Sequence, residues 1–213
     1  MAGVKSTRRY DSSARQKQAR QTRQTVLEVA QRQFLEIGYE ATTIASIAAE
    51  AEVSVETIYK AFGGKPGLVR GIYDRALLGA DPVPAYQRSD EMRSQEPDPK
   101  VILRTWGKLT AEVAAEATPI RLLMRAAAAR DPDIAALLEN SNKERLKRMR
   151  HHARFLSKRG YLRSGVTVAE ATDILWTCSS VELYELLVLQ RGWSRARFAR
   201  YLGNYMTAML LPH

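Results

Sequence analysis

The stretch Thr42–Lys65, TTIASIAAEAEVSVETIYKAFGGK, holds two short helical patterns joined by Glu52-Val53, with no room for a longer loop. Thr43 is a good N-cap for the first pattern, which carries Ile44, Ile47, Ala48 and Ala51. Ser54 caps the second, and Val53 before it is placed to staple onto Ile58. The inner face of the second helix is Ile58, Ala61 and Phe62, and small Ala48 allows the pair to pack closely. Val55, Glu56, Thr57, Tyr59 and Lys60 then point outward, a mixture of apolar, hydrogen-bonding and cationic groups. A helix of this kind fits the major groove of B-DNA, about 12 Å wide. Helix N-termini at Thr43 and Ser54 offer backbone N–H groups to phosphates. A plain helical hairpin with a solvated outer face is the competing reading of any such pair.

Working outward, Val26, Ala30, Phe34 and Ile37 form one stripe of a helix running from about Ala14, and Gly38 sits where its C-cap belongs. Pro66 suits the first turn of a fourth helix that packs Leu68, Val69, Ile72, Tyr73, Ala76 and Leu77. Residues 79–100 hold Pro82, Pro84, Pro97 and Pro99, half of the chain's 8 prolines, and read as a boundary or long loop with room for a short helix at 86–93. Helices are then expected over 99–116, 119–130, 132–160, 168–190 and 195–210, with capping signals at Asp131-Pro132 and Thr167–Glu170. No alternating strand pattern appears, so the expected fold is all-α. The expected division is a basic, disordered arm at 1–19, a DNA-binding domain at 20–78 and a second helical domain at 79–213.

The 213 residues carry a formal net charge of +10, with 45% hydrophobic and 26% charged residues, an ordinary globular balance whose charge favours polyanionic partners. Residues 1–32 concentrate Lys5, Arg8, Arg9, Arg15, Lys17, Arg20, Arg23 and Arg32 against only Asp11 and Glu28, which gives the arm either a solvated or a DNA-contacting role. The apolar run nearest to a membrane span, Ile174–Leu189, is interrupted by Ser179, Ser180, Glu182 and Glu185. With no apolar segment at the basic N-terminus and one cysteine, Cys178, the expected location is the cytoplasm.

The Thr42–Lys65 stretch, preceded by Phe34-Leu-Glu-Ile-Gly-Tyr39, resembles the N-terminal DNA-binding domain of the TetR (tetracycline-repressor) family. The shared features are the threonine ahead of the motif, an Ile-Ala pair, Val-Ser at the turn, Ile-Tyr, Phe62 and Lys65 three residues on. The likeness covers roughly 20–78; beyond that only the helical layout is similar. It implies that Thr43, Ser54, Tyr59 and Lys65 contact phosphates, and that Val55, Glu56, Thr57 and Lys60 face base edges or the adjacent backbone. Two positions depart from the family: Glu52 stands where glycine is usual, and Ala61 where histidine is frequent.

The resemblance further implies a ligand-responsive repressor, homodimeric through its last two helices, acting on a pseudo-palindromic double-stranded DNA operator. Trp106, Met124, Met149, Trp176 and Tyr184 are candidate linings of an effector pocket, against a reading as plain core. Their character points to an apolar or aromatic effector. Arg121, Arg125 and Arg130 offer pairing with an anionic one, against a reading as solvated faces. The alternative function is a helical small-molecule carrier or adaptor without specific DNA recognition. Catalysis, cofactors and metals find no support. His151 and His152 are adjacent and diverge by about 100° on a helix, Cys178 has no base nearby in sequence, and Gly63-Gly64-Lys65-Pro66 lacks the spacing of a phosphate loop.

Overall fold

The computed structural model describes residues 12–79, 81 and 83–212. Every regular element among them is helical: α1 (Ser12–Ile37), α2 (Ile44–Glu50), α3 (Val55–Phe62), α4 (Lys65–Leu78), α5 (Ala85–Gln95), α6 (Pro99–Ala127), α7 (Pro132–Lys158), α8 (Val168–Cys178), α9 (Val181–Tyr184), running on as π-helix over Glu185–Gln190, and α10 (Arg195–Leu210). Of the basic arm, residues 1–11 lie outside the described residues, whereas 12–19 are the first turns of α1 and so are helical rather than disordered. The chain divides into two compact units, Met1–Leu68 and Val69–His213. The division falls inside α4, before the proline-rich stretch that marks it in the sequence.

In the first unit Val26, Ala30 and Phe34 of α1 are buried with Ile44, Ile47 and Ala48 of α2, Ile58 of α3 and Leu68. Ile37, expected on the same stripe, is 56% exposed. It is the last residue of α1, where Gly38 at φ 90° turns the chain away.

The second unit departs from the expected helix boundaries twice. α6 is continuous through Pro119, where two helices were expected. An internal proline costs about 3 kcal/mol in a helix. Ala117, Ile120, Arg121 and Met124 are buried on both sides of it, and that burial carries the helix across. Conversely, the helix expected over 168–190 breaks at Ser179-Ser180. Ser180 is extended, and its hydroxyl accepts from the Leu183 amide to start a new helix.

α6 and α7 run antiparallel, since Arg121 meets Ser141 at one end and Trp106 meets His152 at the other. α6 and α10 cross with their backbones in contact. A Cβ at Gly107 would lie 2.6 Å from the Ala199 carbonyl oxygen and 2.8 Å from the Gly203 nitrogen. Both contacts are too short for a carbon atom, so the glycine sets the distance between these helices. Gly107→Ala is expected to force them apart, destabilising the protein by about 1–3 kcal/mol. Thermal unfolding checks this; an unchanged melting temperature would show that the crossing relaxes freely.

Candidate functional site

The turn between α2 and α3 is a Schellman closure. The Val53 amide donates to the Ala48 carbonyl at 3.0 Å and the Glu52 amide to Ala49 at 3.4 Å. This geometry needs a left-handed residue at Glu52, and Glu52 has φ 54°, unique among the described non-glycine residues in having positive φ. A side chain there costs roughly 1–2 kcal/mol relative to glycine. Two caps follow the same local logic. Thr43 Oγ1 accepts from the Ser46 amide while Ser46 Oγ accepts from the Thr43 amide, and Ser54 Oγ accepts from the Thr57 amide at 3.1 Å.

These closures leave Thr43, Ser54, Val55, Glu56, Thr57, Tyr59 and Lys60 all exposed on the α2–α3 pair, while Ile58 is completely buried beneath them. Val55 and Tyr59 are 41% and 53% exposed, and no neighbouring helix covers them. Lys65 is half-buried. Its Nζ lies 3.4 Å from the Glu40 carbonyl and 4.3 Å from the centre of the Tyr39 ring, against the loop between α1 and α2.

Two residues of α1 fasten this surface, and sequence reasoning missed both as site residues. Gln33 is buried; its amide nitrogen donates to Glu50 Oε2 at 2.8 Å and its Oε1 lies 2.8 Å from Ser46 Oγ, so it clamps both ends of α2. Arg23 donates to the Ala61 carbonyl at 3.0 Å and stacks 4.2 Å over the Phe62 ring. A cation there suits the negative C-terminal end of α3. Ala61, expected on the inner face, is exposed, and Phe62 is half-covered by the Arg23 guanidinium. The one signal for Gln33 was a polar residue beside Phe34 on the apolar face; Arg23 was visible only as part of a basic run.

In the second unit a cavity of about 270 Å³ lies between α4–α10 segments of that unit. Trp106 and Met149 line it. Three other candidates do not. Met124 is fully buried in the core, Tyr184 packs edge-on against Phe198 at 5.3 Å, and the Trp176 ring is covered by the Arg145 guanidinium at 4.3 Å. Of the arginines, Arg121 is buried in the cavity wall, while Arg125 pairs outside it with Glu185. Cys178 lines the cavity too, but burial pushes its thiol up to about 12, far from a nucleophile's range. His152 is held well below the ordinary histidine value by burial and by Arg148 and Arg93. No group of side chains placed to hold a metal ion occurs among the described residues, and no described helix is long and apolar enough to cross a membrane.

Glu52→Gly should relieve the turn. The roughly 1–2 kcal/mol regained outweighs the roughly 0.4–1 kcal/mol of extra chain entropy in the unfolded state, for a net gain of about 1 kcal/mol. Denaturant unfolding reads the gain directly, and a loss of stability would mean that the glutamate side chain contributes more than its backbone costs.

Residues 26–72 match the family described as bacterial regulatory proteins, tetR family. The match spans α1 to α4 and contains the whole exposed face of α3. The comparison with curated proteins finds no match. Among solved structures, a protein described as a TetR-family regulator from Syntrophomonas wolfei str. Goettingen shares the fold at TM-score 0.71 and 20% identity, covering 89% of this chain and 94% of its own. SmeT in complex with triclosan gives 0.70 and 19%, covering 90% and 92%. A transcriptional regulator from Saccharomonospora viridis in complex with choline gives 0.64 and 18%, covering 91% and 100%. The match to the tetR family of bacterial regulatory proteins thus covers the helix-turn-helix, residues 26–72, and over nearly the whole chain the fold is the one these solved regulators share.

Proposed function

We propose that the protein is a ligand-responsive transcriptional repressor that binds a pseudo-palindromic DNA operator as a homodimer in the cytoplasm. The observation that carries DNA recognition is the uncovered outer face of α3, held above a fully buried Ile58 by the positive-φ turn at Glu52. A carrier or adaptor without DNA recognition would leave that face without a purpose.

In this reading α3 enters the major groove. Lys60 reaches guanine O6/N7 and Val55 a thymine methyl, with Glu56 and Thr57 beside them. The hydroxyls of Thr43 and Ser54 accept from their own helices; Thr43 can donate its proton to phosphate, and the Ser54–Thr57 hydroxyl pair, 2.8 Å apart, shares one hydrogen bond and has a second proton to donate. Tyr59 and Lys65 add phosphate contacts, Lys65 bridging the Tyr39–Glu40 loop and the backbone of the operator. The partner subunit would meet the last two helices. Leu186 and Leu189 are 49% and 55% exposed, and Tyr201 and Tyr205, stacked at 6.1 Å, add an aromatic face on α10. The cavity of the second unit would hold the effector; two proteins of similar fold are described in complex with a small molecule, triclosan in one and choline in the other.

Selection of bound DNA from random sequence is expected to return two inverted half-sites about 10 base pairs apart, centre to centre, or a multiple of that. Sequence-blind retention of all DNA would defeat the proposal. Within it, Lys65→Ala should flatten the slope of log K against log salt by about 1 per subunit with half-site preference unchanged. A constant slope would remove Lys65 from the phosphate contacts.

A further inference from the structure

The polar groups in the cavity wall are unevenly matched. Arg148 is answered by both oxygens of Asp90, and the acidic lining residue Glu144 is answered by Arg70. Arg121 and Arg145 have no carboxylate partner among the described residues. Arg121 is 6% exposed and donates to Ser141 Oγ and Asn142 Oδ1, each at 2.7 Å, and to Tyr73 Oη at 3.4 Å. Arg145 donates through Nη1 to the Trp176 carbonyl at 2.6 Å and to Ser179 Oγ at 2.9 Å. Its Nε and Nη2 have no hydrogen-bond partner among the described residues. Every hydrogen-bond partner of both guanidiniums is neutral, so two positive charges stand at one end of the cavity without an ion pair, and only one carboxylate, the more distant Glu182, acts against the charge of Arg145. Burial first, and the neighbouring charge of Arg121 second, hold the Arg145 guanidinium down to about 10, while Glu182 and Tyr73 act the other way. Buried cations left unpaired are costly, and a bound anion removes that cost.

The other end is polar in a different way. Trp106 Nε1, His152 Nδ1 and Ser89 Oγ are buried, line the cavity and make no hydrogen bond. Trp106 lies about four turns of α6 from Arg121. Between the ends the wall is apolar, with Leu109, Val113, Met149, Leu175, Val181 and Met206.

We propose that the cavity takes an amphipathic organic anion, its acidic group held at Arg121 and Arg145 and its apolar body lying against α6, α7 and α8. A carboxylate matches the open Nε/Nη2 edge of Arg145 in fork geometry. Trp106 Nε1 and Ser89 at the far end would meet a polar substituent on the ligand. A cationic ligand is disfavoured by the same two arginines.

The ligand class rests on the reading of this cavity as the effector site, so the test separates the two. The full-length protein is titrated without DNA, by tryptophan fluorescence and calorimetry, with two matched sets of probes. One set is octanoate, 1-octanol and octylammonium; the other is 1-naphthoate and 1-naphthalenemethanol. The carboxylates are expected to bind at least about tenfold tighter than their alcohols, with octylammonium weakest. Arg145→Gln should bring carboxylate and alcohol to within about threefold while alcohol affinity stays, and Arg145→Lys should keep much of the preference. Arg121→Gln should act similarly if it folds; its internal network makes Arg145 the safer variant. Equal binding of carboxylate and alcohol, tighter binding of the amine, no binding of either carboxylate, or an undiminished preference in Arg145→Gln would each overturn the proposal. Carboxylate binding that leaves a selected operator complex intact would instead defeat the effector reading and leave the ligand class standing.

Discussion

The left-handed backbone of Glu52 is the constraint on which the DNA-facing surface depends. With four residues, 51–54, between α2 and α3, only a tight closure can reverse the chain, and the Ala48–Val53 hydrogen bond requires φ to be positive between them. Place Glu52 in the ordinary helical or extended region and Val53 no longer reaches Ala48. Ile58 would then leave the core, and Val55, Tyr59 and Lys60 would lose their common outward direction. The strain of roughly 1–2 kcal/mol is tolerated because the burial of Ile47, Ile58 and Phe34 over-determines the turn. Gln33 and Arg23 complete the arrangement from α1, one clamping α2 and the other closing the end of α3.

The second unit achieves rigidity by different means. The Gly107–Gly203 crossing brings α6 and α10 into backbone contact, so those helices have little freedom to separate. The cavity lies beside this crossing, with Met206 of α10 in its wall together with residues of α4, α5, α6, α7, α8 and α9. The break between α8 and α9 also positions Arg145. Residues 179 and 180 interrupt the helix, and the carbonyl of Trp176 and hydroxyl of Ser179 freed by that interruption are the two groups that anchor Arg145. A continuous helix would have spent the Trp176 carbonyl on its own next turn.

Much of this was legible in the sequence wherever a local rule decides it. The N-caps at Thr43, Ser54, Asp131 and Thr167, the helical layout and the odd residue at Glu52 all follow from short-range chemistry, and the spacing from Thr42 to Lys65 carried the family resemblance. What was not legible depends on contacts between distant residues. Pro119 reads as a helix end, but burial on both its flanks overrides it. Ile37 reads as core by period, but the helix stops at it. Trp176 and Tyr184 are large, apolar and on the right helices, yet whether such a residue lines a cavity or fills a core is set by what stands opposite: an arginine for Trp176 and Phe198 for Tyr184. Gln33 and Arg23 gave no distinctive local signal, because their partners lie 13 to 38 residues away in sequence.

The uneven treatment of arginines within one cavity is the observation that separates a ligand site from a packing defect. A defect would leave apolar space, whereas this wall holds paired and unpaired charges side by side. Arg148 and Asp90 form a closed pair whose net field is small, and such a pair has no need of a ligand. Arg121 and Arg145 are close enough to lower the latter's proton affinity, yet both are solvated only by hydroxyl, amide and carbonyl groups. Neutral dipoles meet the hydrogen-bonding requirement of a guanidinium without cancelling its charge. A structure that satisfies direction without an ion pair is preorganised for an anion, because neutral partners already orient both arginines and Arg121 is buried. The same two arginines would supply selectivity for an anionic ligand over a neutral one of equal shape.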